Sequence, residues 1–199
     1  MSDVSRETAV RLDSYAALIR IWNPRINLIA PATVADLEQR HIADCLQLID
    51  MAQPVSGLWA DLGSGGGLPG LVAAIACTGL PMRFVLVESD QRKSAFLRTV
   101  IRELGLENAS VATARIEALD PLNAAYVSAR ALAPLPRLMP YLDRHLAKDG
   151  QAWLMKGRQW RSELSEARKA WKFHHGSFAS RTQDGAAILK ISRIQDVRT

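Results

Sequence analysis

The sequence predicts an α/β fold: a mostly parallel sheet of seven strands, covered by helices on both faces. Three observations predict it. Short apolar runs alternate with helical patterns from Gly57 onward, the first such run ends in a glycine-rich turn, and the chain closes on an Asp-Gly hairpin signal. With 199 residues, 48% hydrophobic and 23% charged, a soluble globular domain with one core and a short extension is expected.

The elements follow in order. Leu12, Tyr15, Ala16, Ile19 and Trp22 fall at helical spacing. Pro24 and Pro31 are expected to break that pattern. Thr33 can cap a second helix running through Leu37, His41, Cys45 and Leu48 to about Ala52. These helices form an N-terminal helical extension over residues 1–53, and residues 54–199 form the sheet domain. Residues 57–62 are the first strand. A helix follows over 69–78, with Pro69 in its first turn. Residues 83–88 are the second strand, apolar on both faces as a buried parallel strand is. A helix over 91–104 stops at Gly105. Strands over 109–114 and 124–129, a helix over 135–146 despite Pro136 and Pro140, and a strand over 151–155 come next. Residues 158–171 read as a charged helix. Residues 173–181 and 186–194 form the hairpin around Gln183-Asp184-Gly185, which adds an antiparallel strand to the sheet.

Asp61-Leu62-Gly63-Ser64-Gly65-Gly66-Gly67 fits D-x-G-x-G-x-G at the end of the first strand. Glycine suits this turn because the backbone bends sharply and a ligand must approach it without meeting a Cβ. The helix beyond supplies free N–H groups at its start. Glu88 ends the second strand, where a carboxylate can accept hydrogen bonds from ribose hydroxyls. Gly65-x-Gly67-x-x-Gly70 also matches the dinucleotide pattern G-x-G-x-x-G, so a nicotinamide dehydrogenase competes. Pro69 before the last glycine, too few residues for a separate substrate domain, and the closing hairpin weigh against it. Asp61, ahead of the first glycine, suits the positively charged methionine end of S-adenosylmethionine, which has no pyrophosphate to cradle. A Rossmann-like class I methyltransferase fold with S-adenosylmethionine as cofactor follows. A tight turn without a ligand is the plain alternative, against which four glycines at this spacing weigh.

Net charge is +5, and its placement says more than its size. Residues 151–175 carry Lys156, Arg158, Arg161, Arg168, Lys169 and Lys172 against only Glu163 and Glu166. A second group is Arg92, Lys93, Arg98 and Arg102. Such clusters suit a polyanion such as nucleic acid; a solvated helix face is the other explanation. Lys156 and Arg158 after the fifth strand, with Arg92 and Lys93, are the expected RNA contacts. The longest mostly apolar stretch, residues 68–81, is too short to span a bilayer, and the N-terminus has no apolar signal-peptide core. A cytoplasmic monomer with no membrane partner is expected. Cys45 and Cys77 form no C-x-x-C pair, which argues against a disulfide framework and against a metal site.

The segment Asp-Leu-Gly-Ser-Gly-Gly-Gly-Leu-Pro-Gly over 61–70 resembles the loop of the bacterial small-subunit rRNA N7-guanine methyltransferases, also called glucose-inhibited division protein B. Trp22-Asn23 with Asn27-Leu28, Arg40-His41 with Asp44, and Arg92-Lys93 with Phe96-Leu97 resemble further segments of that family. So do Ser128-Ala129-Arg130-Ala131 and Lys156-Gly157. The similarity runs from about Trp22 to Ile194, and Glu88 stands where many members carry Asp. The resemblance implies methyl transfer to N7 of one guanine of 16S rRNA near the decoding site, position 527. The expected partner is therefore 16S rRNA or the small ribosomal subunit. The resemblance also implies cofactor contacts at Gly63, Leu68, Ile116, Glu117 and Arg130. Ile116 and Glu117 would lie beside the adenine, read by an apolar wall and a backbone N–H.

Methyl transfer is an in-line displacement at a sulfonium carbon, so alignment is the main task. Guanine N7 carries a lone pair and no proton, and no general base is needed. The segment Ser128-Ala-Arg-Ala-Leu-Ala133 lacks the Asp/Asn-Pro-Pro-aromatic pattern of exocyclic-amine methylation. Methylation at a pyrimidine carbon needs a cysteine nucleophile, and both cysteines read as small buried residues. Arg130, at the carboxyl end of the fourth strand, is expected to align the reaction by holding the methionine carboxylate or guanine O6. His41 is expected to pin the extension to the domain with Arg40 and Asp44. Trp160 and Trp171 are expected to pack more than to stack on a base. Two other readings stay open: a non-catalytic rRNA-binding assembly factor, and a methyltransferase for another substrate.

Overall fold

The computed structural model describes residues 4–197. Residues 1–3 and 198–199 lie outside it, and with them the start of the stretch that lacks a signal-peptide core. Seven strands form one sheet: β1 (Gly57–Leu62), β2 (Met82–Val87), β3 (Ala109–Ala112), β4 (Ala124–Arg130), β5 (Leu146–Lys156), β6 (Trp171–Ala179) and β7 (Ala187–Asp196). Their order is β3-β2-β1-β4-β5-β7-β6. The pairs among β1 to β5 are parallel, and β7 runs antiparallel to both β5 and β6. This is the expected α/β sheet, with the second hairpin strand inserted between β5 and the edge strand β6.

Among the described residues six α-helices accompany it: α1 (Arg6–Ile26), α2 (Ala43–Ala52), α3 (Gly70–Ala76), α4 (Gln91–Glu103), α5 (Leu135–His145) and α6 (Trp160–Ala167). Alternation along the strands divides the core into two layers. Trp59, Phe84, Trp153 and Ile188 pack with α1 to α4 on one face. Ala60, Val127, Leu154 and Leu189 pack with α5 and α6 on the other. Trp59 stacks between Phe84 and Tyr126, with centroids 5.8 and 5.2 Å away.

The extension departs from its expected form. α1 runs through Pro24 to Ile26, because a proline in the last turn forfeits only one backbone bond. It ends at Asn27, whose φ of 47° is left-handed and whose N–H reaches Asn23 O. The buried Asn23 Oδ1 accepts from the N–H groups of Leu28 and Ile29 at 2.7 and 2.9 Å, which turns the chain back. Thr33 does not cap a helix: it ends a 3-10 turn, and its hydroxyl donates to Ala30 O. A π-helical stretch (Leu37–Ile42) then leads into α2. Pro69 stands before α3 instead of in its first turn. β5 starts directly after α5, ahead of its apolar run.

Strand order reverses between β1 and β4. At such a point the loops from the carboxyl ends diverge and leave a crevice.

Candidate active site

A cavity of about 830 Å³ opens in that crevice. Its lining includes Gly63, Gly65, Leu68, Glu88, Ile116 and Arg130, and Glu117 and Lys93 also reach it. Gly63 and Gly65 have φ of +66° and +54°, which glycine adopts without strain. A Cβ on Gly65 would meet nothing nearer than 3.9 Å, so bare backbone faces the open space. Glu88 accepts from the N–H groups of Gly65 and Asp90, both at 2.8 Å, one on each oxygen. Each oxygen keeps a further lone pair for a hydroxyl. Ile116 O accepts from the buried His145 Nε2 at 3.0 Å, which anchors the turn that carries Ile116 and Glu117. The Glu117 side chain itself points to Arg115, at 2.7 Å.

Asp61 is placed differently from the expectation. It is buried and is no part of the cavity lining. Its Oδ1 accepts from Ser128 Oγ at 2.6 Å and its Oδ2 from Gly70 N–H at 3.3 Å. Ser128 in turn accepts from Trp59 Nε1 at 2.8 Å. Burial pushes Asp61 up to about 6, against the hydrogen bond from Ser128. Asp61 therefore ties β1 and β4 to the start of α3 and shapes the loop from behind. Gly70 is glycine because a Cβ there would lie 2.7 Å from the Asp61 Cβ.

The extension supplies a wall that periodicity did not reveal. Asn27, Leu28, Ile29 and His41 line the cavity. Tyr15 of α1 donates to Gly66 O at 2.6 Å and braces the glycine turn. Arg130 Nη2 donates to His41 Nδ1 at 2.5 Å. That nitrogen must carry a lone pair, so the ring proton sits on Nε2 and points to Thr33 Oγ1 at 2.8 Å. Burial first, then the Arg130 charge, lowers His41 to about 4, so the imidazole is neutral at physiological pH. Arg130 Nη1 lies 3.9 Å from Cys45 Sγ. Burial pushes that thiol up to about 12, which removes it as a nucleophile.

This lining fits S-adenosylmethionine on its chemistry. Bare glycine backbone leaves room that a Cβ would fill, Glu88 offers acceptors for a ribose, and Arg130 offers a guanidinium for a carboxylate. The model of the rRNA small subunit methyltransferase G family matches residues 9–187. The chain belongs to this family. A ribosomal RNA small subunit methyltransferase G of Paracoccus denitrificans is 57% identical over 192 residues, 96% of this chain and 98% of the relative. That of Gluconobacter oxydans is 45% identical, with 99% and 100% covered. A solved methyltransferase from Geobacter sulfurreducens aligns at TM-score 0.63 and 16% identity, covering 95% of this chain and 96% of its own. The ribosomal protein L11 methylase of Lactobacillus delbrueckii aligns at 0.61 and 20%, covering 77% and 78%. At those identities the structures speak to the fold alone, which is the Rossmann-like methyltransferase fold.

Membership of the methyltransferase G family makes the chain an S-adenosylmethionine-dependent rRNA methyltransferase. The dehydrogenase alternative falls away. Among the described residues no helix is long and apolar enough to cross a membrane, and no group of His, Cys, Asp and Glu is placed to hold a metal.

The basic residues divide. Lys156 is a correction: its Nζ pairs with Glu163 Oε2 at 2.7 Å and donates to Ala133 O at 2.8 Å, with the side chain 8% exposed. It joins β5 to α6 and to the loop after β4, and does not face a phosphate. Lys156→Ala is expected to cost about 3 kcal/mol in urea unfolding, because breaking a mostly buried pair strands the other charge. Unchanged stability would return Lys156 to a surface role. Arg158, Arg161, Arg168, Lys172 and Arg92 are exposed, and Lys93 is half-buried. Trp171 is buried in the core, and Trp160 carries Arg161 over its ring at 4.2 Å.

Proposed function

We propose that this protein transfers the methyl of S-adenosylmethionine to N7 of one guanine of 16S rRNA, position 527. The observation that carries the reading is the single cavity that glycine backbone, Glu88 and Arg130 line together. Residues 54–199 form the cofactor-binding domain, and residues 1–53 are the helical extension that completes the cavity. The protein acts as a monomer in the cytoplasm on the small subunit or its rRNA.

The cofactor supplies a sulfonium methyl, whose leaving group departs with the electron pair of the S–C bond. The chain's own residues bind and align. Glu88 would take the ribose hydroxyls, Gly63 and Leu68 would border the cofactor, and Ile116 with the Glu117 N–H would hold the adenine. Arg130 takes the methionine carboxylate. This choice over guanine O6 follows from charge: methylation at N7 leaves the purine cationic, and a bare guanidinium facing it would oppose the reaction. His41 cannot act as a base, since its lone pair is committed to Arg130. That supports an acceptor with no proton to lose.

The test is transfer of a labelled methyl to deproteinised rRNA and to assembled small subunits from a strain that lacks this protein. The expected product is cleaved by base and aniline at one guanine, as 7-methylguanosine is. Labelled RNA that resists cleavage would overturn the N7 assignment. RNA binding is expected to weaken steeply with salt. Changing Arg158, Arg161 and Arg168 together to Gln should lower the slope by roughly 0.7 to 0.9 for each phosphate that is no longer neutralised, with cofactor affinity unchanged. A constant slope would move the RNA to the Arg92 and Lys93 side.

A further inference from the structure

A second cavity of about 520 Å³ adjoins the first. The two share Arg130, Ala131, Leu132 and Ala133, the end of β4 and the loop that follows. Its size is within the range of small-molecule sites. Leu132, Pro134 and Met155 give it apolar walls. Of its charged residues, Lys156 and Glu163 are paired to each other, and Arg130 belongs to the cofactor cavity as well. Asp44 is different. It comes from the first turn of α2, belongs to the Arg40-His41-x-x-Asp44 pattern, and has no part in the cofactor cavity.

Asp44 is 8% exposed. Its Oδ1 accepts from Ser180 Oγ at 2.8 Å, and Ser180 Oγ accepts in turn from the N–H groups of Thr182 and Gln183. The carboxylate is thus held from one side by the hairpin loop. Its Oδ2 has no hydrogen-bond partner among the described residues, yet Asp44 lines the cavity. A buried carboxylate with one oxygen anchored and the other open calls for a donor.

We propose that this second cavity receives the acceptor guanine and that Asp44 recognises its N1–H and 2-amino edge. The inference rests on the N7 methyl-transfer reading above. The geometry of guanine suits the arrangement: N7 and the N1/N2 edge lie at opposite ends of the purine. A base held by N1 and N2 at Asp44 would carry N7 at its free end, and the two cavities adjoin along residues 130–133, through which N7 would reach the methyl. The charge suits it as well. When N7 forms its bond to the methyl carbon, the purine becomes a cation and N1–H becomes more acidic. A carboxylate at that edge then binds the transition state more tightly than the ground state. Adenine presents a lone pair at N1 and no 2-amino group, so the same carboxylate rejects it.

The test uses small subunits reconstituted on ligated 16S rRNA that carries either guanine or hypoxanthine at the methylated position. Hypoxanthine keeps N7, O6 and N1–H and lacks only the 2-amino group. The wild-type protein is expected to prefer guanine by about 10- to 100-fold in kcat/KM, as loss of one bond to a charged group implies. Asp44→Asn keeps an oxygen for Ser180 and turns an amide donor toward the base. It should lower kcat on guanine roughly 100-fold and reduce the preference over hypoxanthine to less than about 3-fold, with cofactor affinity by calorimetry unchanged. A wild-type protein indifferent to hypoxanthine would overturn the proposal. So would a variant that is slower on both substrates with its preference intact, since that is the mark of a merely structural Asp44. If wild-type protein makes no 7-methylguanosine on guanine-bearing subunits, the N7 reading itself fails and takes this inference with it.

Discussion

Gly63→Val is expected to abolish S-adenosylmethionine binding, by roughly 100-fold or more in calorimetry, while the protein still unfolds cooperatively. Two effects separate here. The first is local strain. Gly63 sits at φ +66°, where an L residue costs about 1–2 kcal/mol, and a β-branched one more. Its new Cβ would lie 2.6 Å from Leu132 Cδ1. That atom is the far end of a half-buried side chain on the loop after β4, so Leu132 can swing aside. The fold therefore loses little. The second effect is in the cavity. Two γ-methyl groups would stand on the backbone that the cofactor has to approach, and no neighbouring adjustment removes them. Gly105→Val is the matched control. Gly105 has φ +59°, nothing lies within 4 Å of its Cβ position, and it is no part of the cavity lining. It should lose comparable stability in thermal unfolding and keep full cofactor affinity. Retained affinity in Gly63→Val would mean that the cofactor does not lie against this turn.

The residues that carry the sheet were legible because their signals are local. β1 and β2 follow from apolar runs, the glycine turn from its composition, and the hairpin from Asp184-Gly185. Arg130 could be placed at a strand end for the same reason. What could not be read is set by contacts between elements, most of them distant in sequence. Lys156 and Arg158 look alike in a basic run, yet Lys156 is consumed by Glu163 and Arg158 stays exposed. Glu163 is only seven residues on, but the pairing needs the turn between β5 and α6 to bring it back over Lys156, and neither helical nor strand spacing places a residue seven positions away across such a turn. Asp61 looked like a ligand for a cation and proved to be a buried brace, because its partner Ser128 is 67 residues away. His41 had no visible acid partner, and it meets a guanidinium 89 residues on. The extension misled in its geometry as well. Pro24 reads as a stop, but near the end of a helix its missing N–H costs one bond. The wall formed by Asn27, Leu28 and Ile29 then depends on Asn23, a buried amide whose use as a turn clamp has no periodic signature.

The single-turnover rate of methyl transfer should be nearly flat between roughly pH 7 and pH 9 and should depend strongly on Arg130. Flatness follows from the acceptor, since guanine N7 has no proton to lose. The two shifted groups of the site, His41 and Asp61, titrate below that window. His41 is lowered to about 4, so it stays neutral and its Nδ1 keeps accepting from Arg130. Asp61, raised to about 6, is ionised above that value and holds Gly70 and Ser128 in place. Below pH 6 the rate should fall, first as Asp61 gains a proton. It should fall again toward pH 4, as a protonated His41 would set donor against donor at Arg130. The linkage for His41 has the same sign. The unfolded chain takes up this proton near 6.5 and the folded one only near 4, so folded stability also drops as pH falls through that interval. Arg130→Ala should lower the rate by about 100-fold, the scale of a misaligned reactant, with the pH profile above pH 7 unchanged in shape. Arg130→Lys should recover little. A single ammonium cannot hold a carboxylate by a planar fork and at the same time donate to the fixed Nδ1 of His41. Full rescue by lysine would reduce Arg130 to a point charge. A steep rise in rate with one ionisation near neutrality would mean that the nucleophile must first lose a proton, and the acceptor would then be an amine or a hydroxyl in place of N7.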